Sequence, residues 1–365
     1  MKIGMITYHN ALNYGAVFQC HALYDYLCDM QNVDSVEVIN YENKIVEDKD
    51  NIVKLLMRTR SISRKAKLFI SIPQLLKKKY GFNSYKKSMN ISKRYCSDSI
   101  YGIRNEYDAF IIGSDQLWNF KMNGYDTTYY LPFLERKNKI VSYGTSIGAS
   151  DIPERIIQEF TESLEQFSAI SVREEIAKEI INGLLPNKPV SVVLDPVFLM
   201  GRKYWMKYGK AKKRDQIVYY FFNSENINQA QNILNDIGAN DYRIKKICGG
   251  ISLKDYLSPQ IGVCMSASPE QLLRIISSSK LALTDSFHCT AMSIIYHTPF
   301  VVFLSGNPGS DARIVQLLHV CGLESRIYFE KFKLNEIDWD DVDKRIEECS
   351  IYSRDYLTKA ISEIR

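Results

Sequence analysis

Short apolar runs rich in Val, Ile, Tyr and Phe alternate along the chain with longer amphipathic stretches. Such runs are typical of strands that are buried on both faces of a parallel sheet. They predict strands at residues 2–7, 37–40, 109–113, 140–144, 169–172, 191–194, 217–222, 242–248, 281–284 and 300–304. The stretches between them predict helices at 16–30, 154–165, 174–182, 224–236, 269–278 and 287–296, and a last helical stretch covers 342–364. This alternation predicts an α/β fold with doubly wound parallel sheets.

Chain length and a change in composition predict two domains. The chain has 365 residues, whereas one domain usually has about 100–200. After Asp195-Pro196 the sequence becomes basic and irregular up to Arg214, and then a new strand begins. We therefore predict two Rossmann-like domains, 1–195 and 196–341, that face each other across a cleft. A C-terminal helix, 342–365, is free to pack back on the first domain. Right-handed crossovers place the loops after the strands at one edge of each sheet, where such folds bind ligands.

The composition excludes several classes of protein. The chain is 45% hydrophobic and 24% charged, which is typical of a folded globular protein. Its net charge is +5 and its pI is about 8.6, below the pI of about 9 of a dedicated nucleic-acid binder. No apolar run approaches the ~18 residues of a membrane-spanning helix, and the N-terminus lacks the regions of a signal peptide. The eight cysteines form no C-x-x-C pair and the five histidines show no metal-ligand spacing, so we expect reduced thiols, a cytoplasmic location and no metal.

One segment, 54–94, carries most of the positive charge. It contains 13 Lys and Arg residues and no Asp or Glu, whereas the rest of the chain has 34 basic and 42 acidic residues, a net charge of −8. Interspersed Leu, Ile and Phe residues make the segment amphipathic, which predicts a surface helix or a helical hairpin. The segment is either a solvated insertion or a docking face for an anionic partner, such as a membrane surface, a lipid-linked diphosphate or a polyanion.

The strongest local signal for chemistry is the run from Leu281 to Ala291, where a strand leads into Thr-Asp-Ser and then a helix. Asp285 or Ser286 can cap this helix, and its free backbone N–H groups form an anion site. His288 lies in the first helical turn. It is either a proton donor near neutral pH or a structural histidine, and the residues leave both readings open.

Two other predicted strands end in charged residues. One ends in Gly-Ser-Asp, so that Asp115 lies at the sheet edge, where it is either functional or a cap of the next segment. Trp118 and Asn119 follow and are of the types that line sugar sites. The other strand ends at Arg173, whose planar fork suits a carboxylate or a phosphate, although an ion pair with Asp or Glu would explain it equally well.

The loop after the first strand, residues 8–15, also carries polar side chains to the predicted edge, among them His9 and Asn13. This loop is neither a Walker loop nor a G-x-G-x-x-G loop. Nucleotide hydrolysis and dinucleotide redox chemistry therefore lack their usual sequence signatures.

Five segments resemble, in their order and spacing, the motifs of the polysaccharide pyruvyl transferase family. They are Ile-Thr-Tyr-His-Asn-Ala-Leu-Asn-Tyr-Gly-Ala from Ile6, Ile-Ile-Gly-Ser-Asp-Gln-Leu-Trp-Asn from Ile111, Ile-Ser-Val-Arg-Glu from Ile170, Leu-Asp-Pro-Val-Phe-Leu from Leu194 and Thr-Asp-Ser-Phe-His-Cys-Thr-Ala from Thr284. The resemblance spans nearly the whole chain. The family typically has Gly where this chain has Cys289, a change between small residues that we expect to be tolerated.

The resemblance implies a two-domain fold of the GT-B type. It also implies transfer of a pyruvyl group from phosphoenolpyruvate onto two hydroxyls of a sugar in a cell-surface polysaccharide precursor, for example of a capsule or an exopolysaccharide. Phosphoenolpyruvate is then a co-substrate, and no cofactor is expected. Carried over by motif, the expected catalytic residues are Asp115, Arg173 and His288. The donor is expected to contact Arg173, Ser146, Ser286 and His288, and the acceptor to contact His9, Asn13, Trp118 and Asn119, with the first domain on the acceptor side and the second on the donor side.

The chemistry of the reaction agrees with these roles. Phosphoenolpyruvate carries a carboxylate and a phosphate, which a guanidinium and a helix N-terminus can bind. His288 is expected to protonate the methylene carbon, and Asp115 to accept the proton of the attacking hydroxyl. Nucleic acid is not an expected partner. Through 54–94 we expect peripheral contact with the inner face of the membrane, where a lipid-diphosphate-linked acceptor would be met.

Two alternatives stay open. A glycosyltransferase of the same fold would use a nucleotide-sugar donor, with Glu270 reaching the ribose, and nucleotide sugars would then stabilise the protein against heat where phosphoenolpyruvate would not. A non-catalytic carbohydrate- or polyanion-binding protein would keep its binding when Asp115, Arg173 and His288 are replaced.

Overall fold

A computed structural model describes residues 1–48, 54, 57, 62–134, 139–209, 215–223, 225–239, 241–248, 253–329 and 332–362. The chain divides into two compact units. We call Met1–Ile72, Lys86–Leu199 and Glu348–Arg365 the N-terminal domain, and Pro73–Tyr85 and Met200–Glu347 the C-terminal domain. The chain thus changes domain after Leu199 rather than after Asp195-Pro196. Pro73–Tyr85, which we expected within an insertion of the first domain, belongs to the second.

The described strands of the N-terminal domain form one fully parallel sheet. They are β1 (Lys2–Ile6), β2 (Ser35–Tyr41), β3 (Ile91–Tyr95), β4 (Ala109–Asp115), β5 (Lys139–Thr145), β6 (Ile170–Val172) and β7 (Val190–Val192). Their order is β3-β2-β1-β4-β5-β6-β7. β4 is the middle strand, and the order reverses between β1 and β4, the kind of position at which open α/β sheets bind ligands.

The described strands of the C-terminal domain form a second parallel sheet. They are β8 (Gln216–Tyr220), β9 (Arg243–Cys248), β10 (Ile261–Val263), β11 (Leu281–Thr284) and β12 (Phe300–Val302), in the order β10-β9-β8-β11-β12. β8 and β11 lie side by side in the middle of this sheet, so the ends of these two strands bring their loops together.

Helices connect the strands of both sheets. They are α1 (Tyr14–Cys28), α2 (Lys44–Glu47), α3 (Ile62–Tyr85), α4 (Phe120–Asn123), α5 (Glu154–Glu165), α6 (Glu175–Leu184), α7 (Gly201–Trp205), α8 (Asn226–Asp236), α9 (Leu253–Leu257), α10 (Pro269–Ser278), α11 (Phe287–Ile295), α12 (Pro308–Cys321) and α13 (Trp339–Ser362). In the part of the chain that the structure describes, no helix combines the length and the hydropathy needed to cross a membrane.

The N-terminal sheet is covered on both faces, which explains its continuous apolar strands. One core contains α1 and the end of α13, with Leu23 and Leu357 both fully buried among strand residues such as Ile111. The other core is rich in aromatic side chains, which pack edge to face around Phe160. β4 therefore has buried residues from Ala109 to Ser114, and only its last residue reaches the surface.

Every predicted strand and helix is present, with ends shifted by a few residues, but seven described elements were missed: the short helices α2, α4, α7 and α9, together with β3, β10 and α12. β3 is an edge strand whose Ser-Lys-Arg centre breaks the apolar pattern, β10 has three half-buried residues, and α12 begins with Pro-Gly-Ser. In the part of segment 54–94 that the structure describes, the chain forms α3 and then most of β3, so the first of the two expected forms, a helix, is present. Arg58 and Arg60, and the side chains of Arg64, Lys65 and Lys67, lie outside the described residues.

Replacing Gly113 by alanine tests how closely β4 approaches β5. Gly113 has φ +128°, and an added Cβ would clash with the carbonyl oxygen of Tyr143. Overpacking against backbone together with a strained φ is expected to lower the free energy of unfolding by about 2–3 kcal/mol, measured by urea denaturation. Gly183→Ala is the matched control: it lies in α6 with nothing within 4 Å of the added Cβ, and it is expected to stabilise by about 0.5–1 kcal/mol. Equal stability of the two variants would contradict the close approach.

Candidate active site

The ends of three neighbouring strands bring together most of the charged residues predicted for the N-terminal domain. Asp115 at the end of β4 pairs with Thr145 of β5, and Thr145 pairs with Val172 of β6. Because parallel strands end at the same edge of a sheet, Asp115, Ser146 and Arg173 lie next to one another there. The sequence placed each of them after a strand, and the strand order makes them neighbours.

Asp115 has an unusual backbone for a residue with a side chain. Its φ is +80°, a left-handed conformation that costs a non-glycine residue roughly 1–3 kcal/mol and that clusters at functional sites. Its side chain is 13% exposed, with Oδ1 3.8 Å from Nη2 of Arg173. The backbone N–H of Gln116 donates to the same Oδ1 at 2.8 Å. Asp115 is therefore a fixed carboxylate that still reaches solvent.

Buried hydrogen bonds from three elements hold the turn before Asp115. The backbone N–H of Ser114 donates to Oε1 of Gln19 at 2.9 Å, and its hydroxyl donates to the carbonyl of Gly144 at 2.7 Å. Gln19, on α1, donates in turn to the hydroxyl of Thr7 at 2.7 Å. The end of β4 is thus fixed by Thr7 directly after β1, by α1 and by β5, so the Asp115 carboxylate is held in place before any ligand binds.

Arg173 is buried between two carboxylates, a setting that the sequence did not show. It is 4% exposed; Nη1 donates to Oδ2 of Asp195, and Nη2 lies near Asp115. The other oxygen of Asp195 accepts the backbone N–H of Val197 at 3.1 Å. Asp195 was missed as a site residue, although the Leu-Asp-Pro-Val-Phe-Leu motif contains it. Of the two readings of Arg173, the structure shows the ion pair.

A further buried carboxylate, that of Glu174, follows Arg173 in the chain. The hydroxyl of Ser146 donates to Oε1 of Glu174 at 2.6 Å, and both residues are almost fully buried. The backbone N–H of Ser146 donates to the carbonyl of Asp115 at 2.9 Å. Ser146, expected to contact the donor, therefore uses its hydroxyl inside the domain. Three carboxylates and one guanidinium make this edge acidic, which suits the hydroxyls of a sugar better than a polyanion.

Two of the four residues expected to bind the acceptor are core residues. Trp118 is fully buried, packs edge to face on Phe160 and donates from its indole N–H to the carbonyl of Tyr129 at 3.0 Å. It offers no ring face to a sugar, which corrects its expected contact with the acceptor. His9 is 1% exposed, and its Nε2 lies 3.2 Å from Oδ1 of Asn40. Burial, together with the Lys86 charge, lowers the pKa of His9 to about 4.

The two asparagines expected on the acceptor side lie at helix N-termini with surface left for a ligand. Asn13 is exposed and caps α1, its Oδ1 accepting the backbone N–H groups of Gly15 and Ala16. Asn119 is partly exposed and caps α4, and its Nδ2 donates to Oε1 of Gln116 at 2.8 Å. Both side chains are held in place by the backbone that they cap.

In the C-terminal domain β11 leads directly into α11, the strand–turn–helix arrangement on which the predicted anion site depends. Ser286 caps α11, with its hydroxyl accepting the backbone N–H of Cys289 at 3.4 Å. Asp285 does not cap the helix, because its carboxylate accepts the backbone N–H groups of Phe222 and Asn223, both at 2.8 Å. Burial raises the pKa of Asp285, and these two hydrogen bonds oppose the increase. Asp285 thus ties the loop after β8 to the start of α11.

His288 is the second residue of α11, where the positive end of the helix dipole lies. It is 8% exposed, and its ring packs edge to face on Phe287 with the centroids 5.0 Å apart. Within the described ranges, no three His, Cys, Asp or Glu side chains form a group that could hold a metal ion. The junction therefore offers backbone N–H groups and one imidazole, a set suited to binding an anion and transferring a proton.

The chain is similar to known proteins along nearly its whole length. The family model described as polysaccharide pyruvyl transferase matches residues 13–307. Two similar solved structures are UDP-GlcNAc 2-epimerases. The one from Methanocaldococcus jannaschii is 13% identical and covers 96% of this chain and 93% of its own, with a TM-score of 0.50. The one from Neisseria meningitidis, bound to UDP-GlcNAc, is 10% identical. It covers 100% of this chain and 99% of its own, also with a TM-score of 0.50. No curated protein matches significantly. At these identities the likeness shows the fold, and it confirms the predicted pair of Rossmann-like domains of the GT-B type.

Proposed function

Because the chain belongs to the polysaccharide pyruvyl transferase family, we propose that it transfers the pyruvyl group of phosphoenolpyruvate onto two hydroxyls of one sugar. The sugar belongs to a precursor of a cell-surface polysaccharide, such as a capsule or an exopolysaccharide. The products are a cyclic ketal and inorganic phosphate. Phosphoenolpyruvate is the co-substrate, and the proposed reaction needs no cofactor or metal ion.

In the first proposed step, His288 gives a proton to the methylene carbon of phosphoenolpyruvate, which becomes a methyl group. The neighbouring carbon, C2, becomes electrophilic, and a sugar hydroxyl forms a C2–O bond. Asp115 accepts the proton of that hydroxyl. The intermediate is tetrahedral at C2 and still carries the phosphate.

In the second step, the other hydroxyl of the sugar forms a second bond to C2, and the bond between C2 and the phosphate oxygen breaks. The phosphate leaves with the proton that Asp115 took from the first hydroxyl, and His288 accepts the proton of the second hydroxyl. His288 and Asp115 exchange their roles here, since His288 is now deprotonated and Asp115 protonated. Both groups return to their starting states.

The observation that carries this proposal is the geometry of Asp115. Asp115 has a left-handed backbone conformation, and its carboxylate is partly exposed and lies next to buried Arg173. A carboxylate held in this way is suited to act as a positioned base. The acidic surroundings favour sugar hydroxyls at this edge, and the start of α11 favours the anionic donor. Arg173 as a direct donor ligand stays a prediction; its contacts with Asp195 and Asp115 support a positioning role.

The proposed acceptor is carried on a lipid diphosphate, and the protein contacts an anionic membrane surface peripherally through 54–94. The support is the charge of this segment, 13 basic residues and no acidic ones. Each basic residue near an anionic surface contributes on the order of 1 kcal/mol.

Mass spectrometry of candidate acceptors tests the proposed reaction. Acceptors incubated with the protein and phosphoenolpyruvate are expected to gain one pyruvyl ketal, with one phosphate released per ketal. Heat denaturation with phosphoenolpyruvate, nucleotide sugars or nucleoside monophosphates serves as the parallel measurement, because a saturating ligand at ~100 times its dissociation constant stabilises by roughly 2.7 kcal/mol. Stabilisation by nucleotide sugars alone, together with transfer of a sugar, would contradict the proposal and identify a glycosyltransferase.

A further inference from the structure

Helix α3 exposes an apolar ridge, which we define as Phe69, Pro73, Leu76 and Tyr80. The residues follow one another at intervals of four, three and four, a spacing that places them on one face of a helix. Phe69 is 60% exposed, Leu76 54% and Tyr80 72%, and Pro73 is exposed as well. Contiguous exposed apolar side chains of this kind mark interaction sites on proteins.

The opposite face of the same helix packs against the C-terminal domain, so the ridge stays exposed in the folded protein. Phe82 is fully buried, and Tyr85 is 6% exposed with its ring 5.9 Å from that of Tyr208. Gly81 approaches the start of α10 so closely that an added Cβ would lie 2.6 Å from Cβ of Ser268. The C-terminal half of α3 is therefore docked on its domain by one side, and the ridge points away from the packed side.

Lysines flank the ridge on both sides. At 3.6 residues per turn, Lys77 emerges on one flank of the ridge and Lys79 on the other, and both are exposed. No acidic residue occurs anywhere in 54–94. Long lysine side chains can lay their methylene groups along an apolar surface while the ammonium groups reach outward. The face is thus apolar in its centre and cationic at its borders.

We propose that α3 lies in the interfacial region of an anionic lipid bilayer, with the ridge inserted among the acyl chains and Lys77 and Lys79 at the headgroups. An apolar stripe bordered by lysines fits this boundary, because the membrane presents hydrocarbon beneath a layer of negative charge. A nucleic acid or other soluble polyanion would meet the lysines but leave the ridge in water. The inference rests on the proposed function, since a lipid-linked acceptor is met at such a surface.

Co-sedimentation of the full chain with vesicles tests the inference. The protein is expected to bind vesicles of phosphatidylcholine mixed with phosphatidylglycerol, to bind phosphatidylcholine alone weakly, and to dissociate as salt is raised. Lys77→Gln with Lys79→Gln is expected to lower the partition coefficient by about 30-fold, since each lysine contributes about fivefold. Leu76→Ser with Tyr80→Ser is expected to lower it by at least about tenfold.

Matched substitutions on other surfaces provide the controls. Lys121 is exposed, and Ile351 is 49% exposed, close to the value for Leu76. Lys121→Gln and Ile351→Ser are expected to leave vesicle binding unchanged, and circular dichroism confirms that every variant is folded. Equal binding to neutral and anionic vesicles, or ridge variants that bind like the unmodified protein, would overturn the inference. Salt-dependent binding to soluble heparin without any vesicle binding would overturn it in favour of a polyanion partner.

Phosphate release from phosphoenolpyruvate with a soluble sugar acceptor separates this inference from the proposed function. Ridge variants that lose vesicle binding and keep phosphate release support both. Ridge-dependent vesicle binding in a protein that never releases phosphate supports the membrane surface and overturns the proposed reaction. Phosphate release without vesicle binding overturns the membrane surface alone.

Discussion

Replacement of His288 by alanine is expected to lower kcat for phosphate release from phosphoenolpyruvate by about 10²–10⁴-fold, the usual contribution of a positioned acid or base. Alanine cannot give a proton to the methylene carbon. C2 therefore does not become electrophilic, and the first C2–O bond forms much more slowly. The backbone N–H groups at the start of α11 remain, and they are the groups expected to bind the anionic donor. KM for phosphoenolpyruvate should therefore change far less than kcat, as measured by continuous phosphate release.

Another histidine of the same domain is the matched control. His319 lies in α12 and not in the β11–α11 junction. Its side chain is exposed and pairs with Glu324 at 2.8 Å. His319→Ala is expected to keep kcat and KM at the values of the unmodified protein. A folded His288→Ala protein with unchanged kcat would show that the histidine is structural, the reading that the sequence left open.

Replacement of Asp195 by alanine is expected to lower the free energy of unfolding of the N-terminal domain by about 3–5 kcal/mol, the usual cost of breaking a buried ion pair from one side. The Asp195 side chain is fully buried and that of Arg173 is 2% exposed, so water cannot replace the lost carboxylate. Arg173 also lies beside Asp115, and a shift of the guanidinium would disturb the proposed base. kcat should therefore fall under conditions in which the variant is still folded, and urea denaturation with phosphate release measures both effects.

A double variant distinguishes charge burial from a positioning role. Arg173→Met combined with Asp195→Leu removes both charges, and such replacements are often neutral or stabilising. The double variant is expected to regain much of the stability and to remain nearly inactive, because Asp115 has lost its neighbour. Asp341→Asn, which weakens the half-exposed pair with Arg345, is the control and should change neither property. A double variant with full activity would remove Arg173 and Asp195 from the proposed mechanism.

The fold was largely predictable because the strands are buried on both faces. β4 and β5 read as uninterrupted apolar runs, since almost every residue in them faces a core. β3 was not predicted because its apolar pattern is interrupted by Lys93 and Arg94. An edge strand tolerates such residues because it has fewer neighbours. The boundary after Leu199 and the membership of Pro73–Tyr85 in the C-terminal domain depend on contacts between distant segments, which composition along the chain does not report.

The sequence predicted those site residues that can be found from their residue type and from their position at the end of a strand. Asp115, Arg173 and His288 all lie where the sequence placed them: at the end of a strand, directly after a strand and at the start of a helix, respectively. Residue type alone misplaced Trp118, because an indole is as useful in an aromatic core as on a sugar-binding surface. It also gave no role to Asp195, whose importance comes entirely from the buried arginine beside it.

The sequence by itself determined the alternation of strands and helices, the charge excess of 54–94 and the residue types that follow each strand. These properties are local: apolar periodicity reports burial, and charge is additive along the chain. Only the tertiary structure decided that Arg173 is held between Asp195 and Asp115, that Asp285 ties a loop rather than capping α11, and that the ridge of α3 stays exposed. These contacts depend on strand order and on how the helices pack, because both bring together residues that are far apart in the sequence.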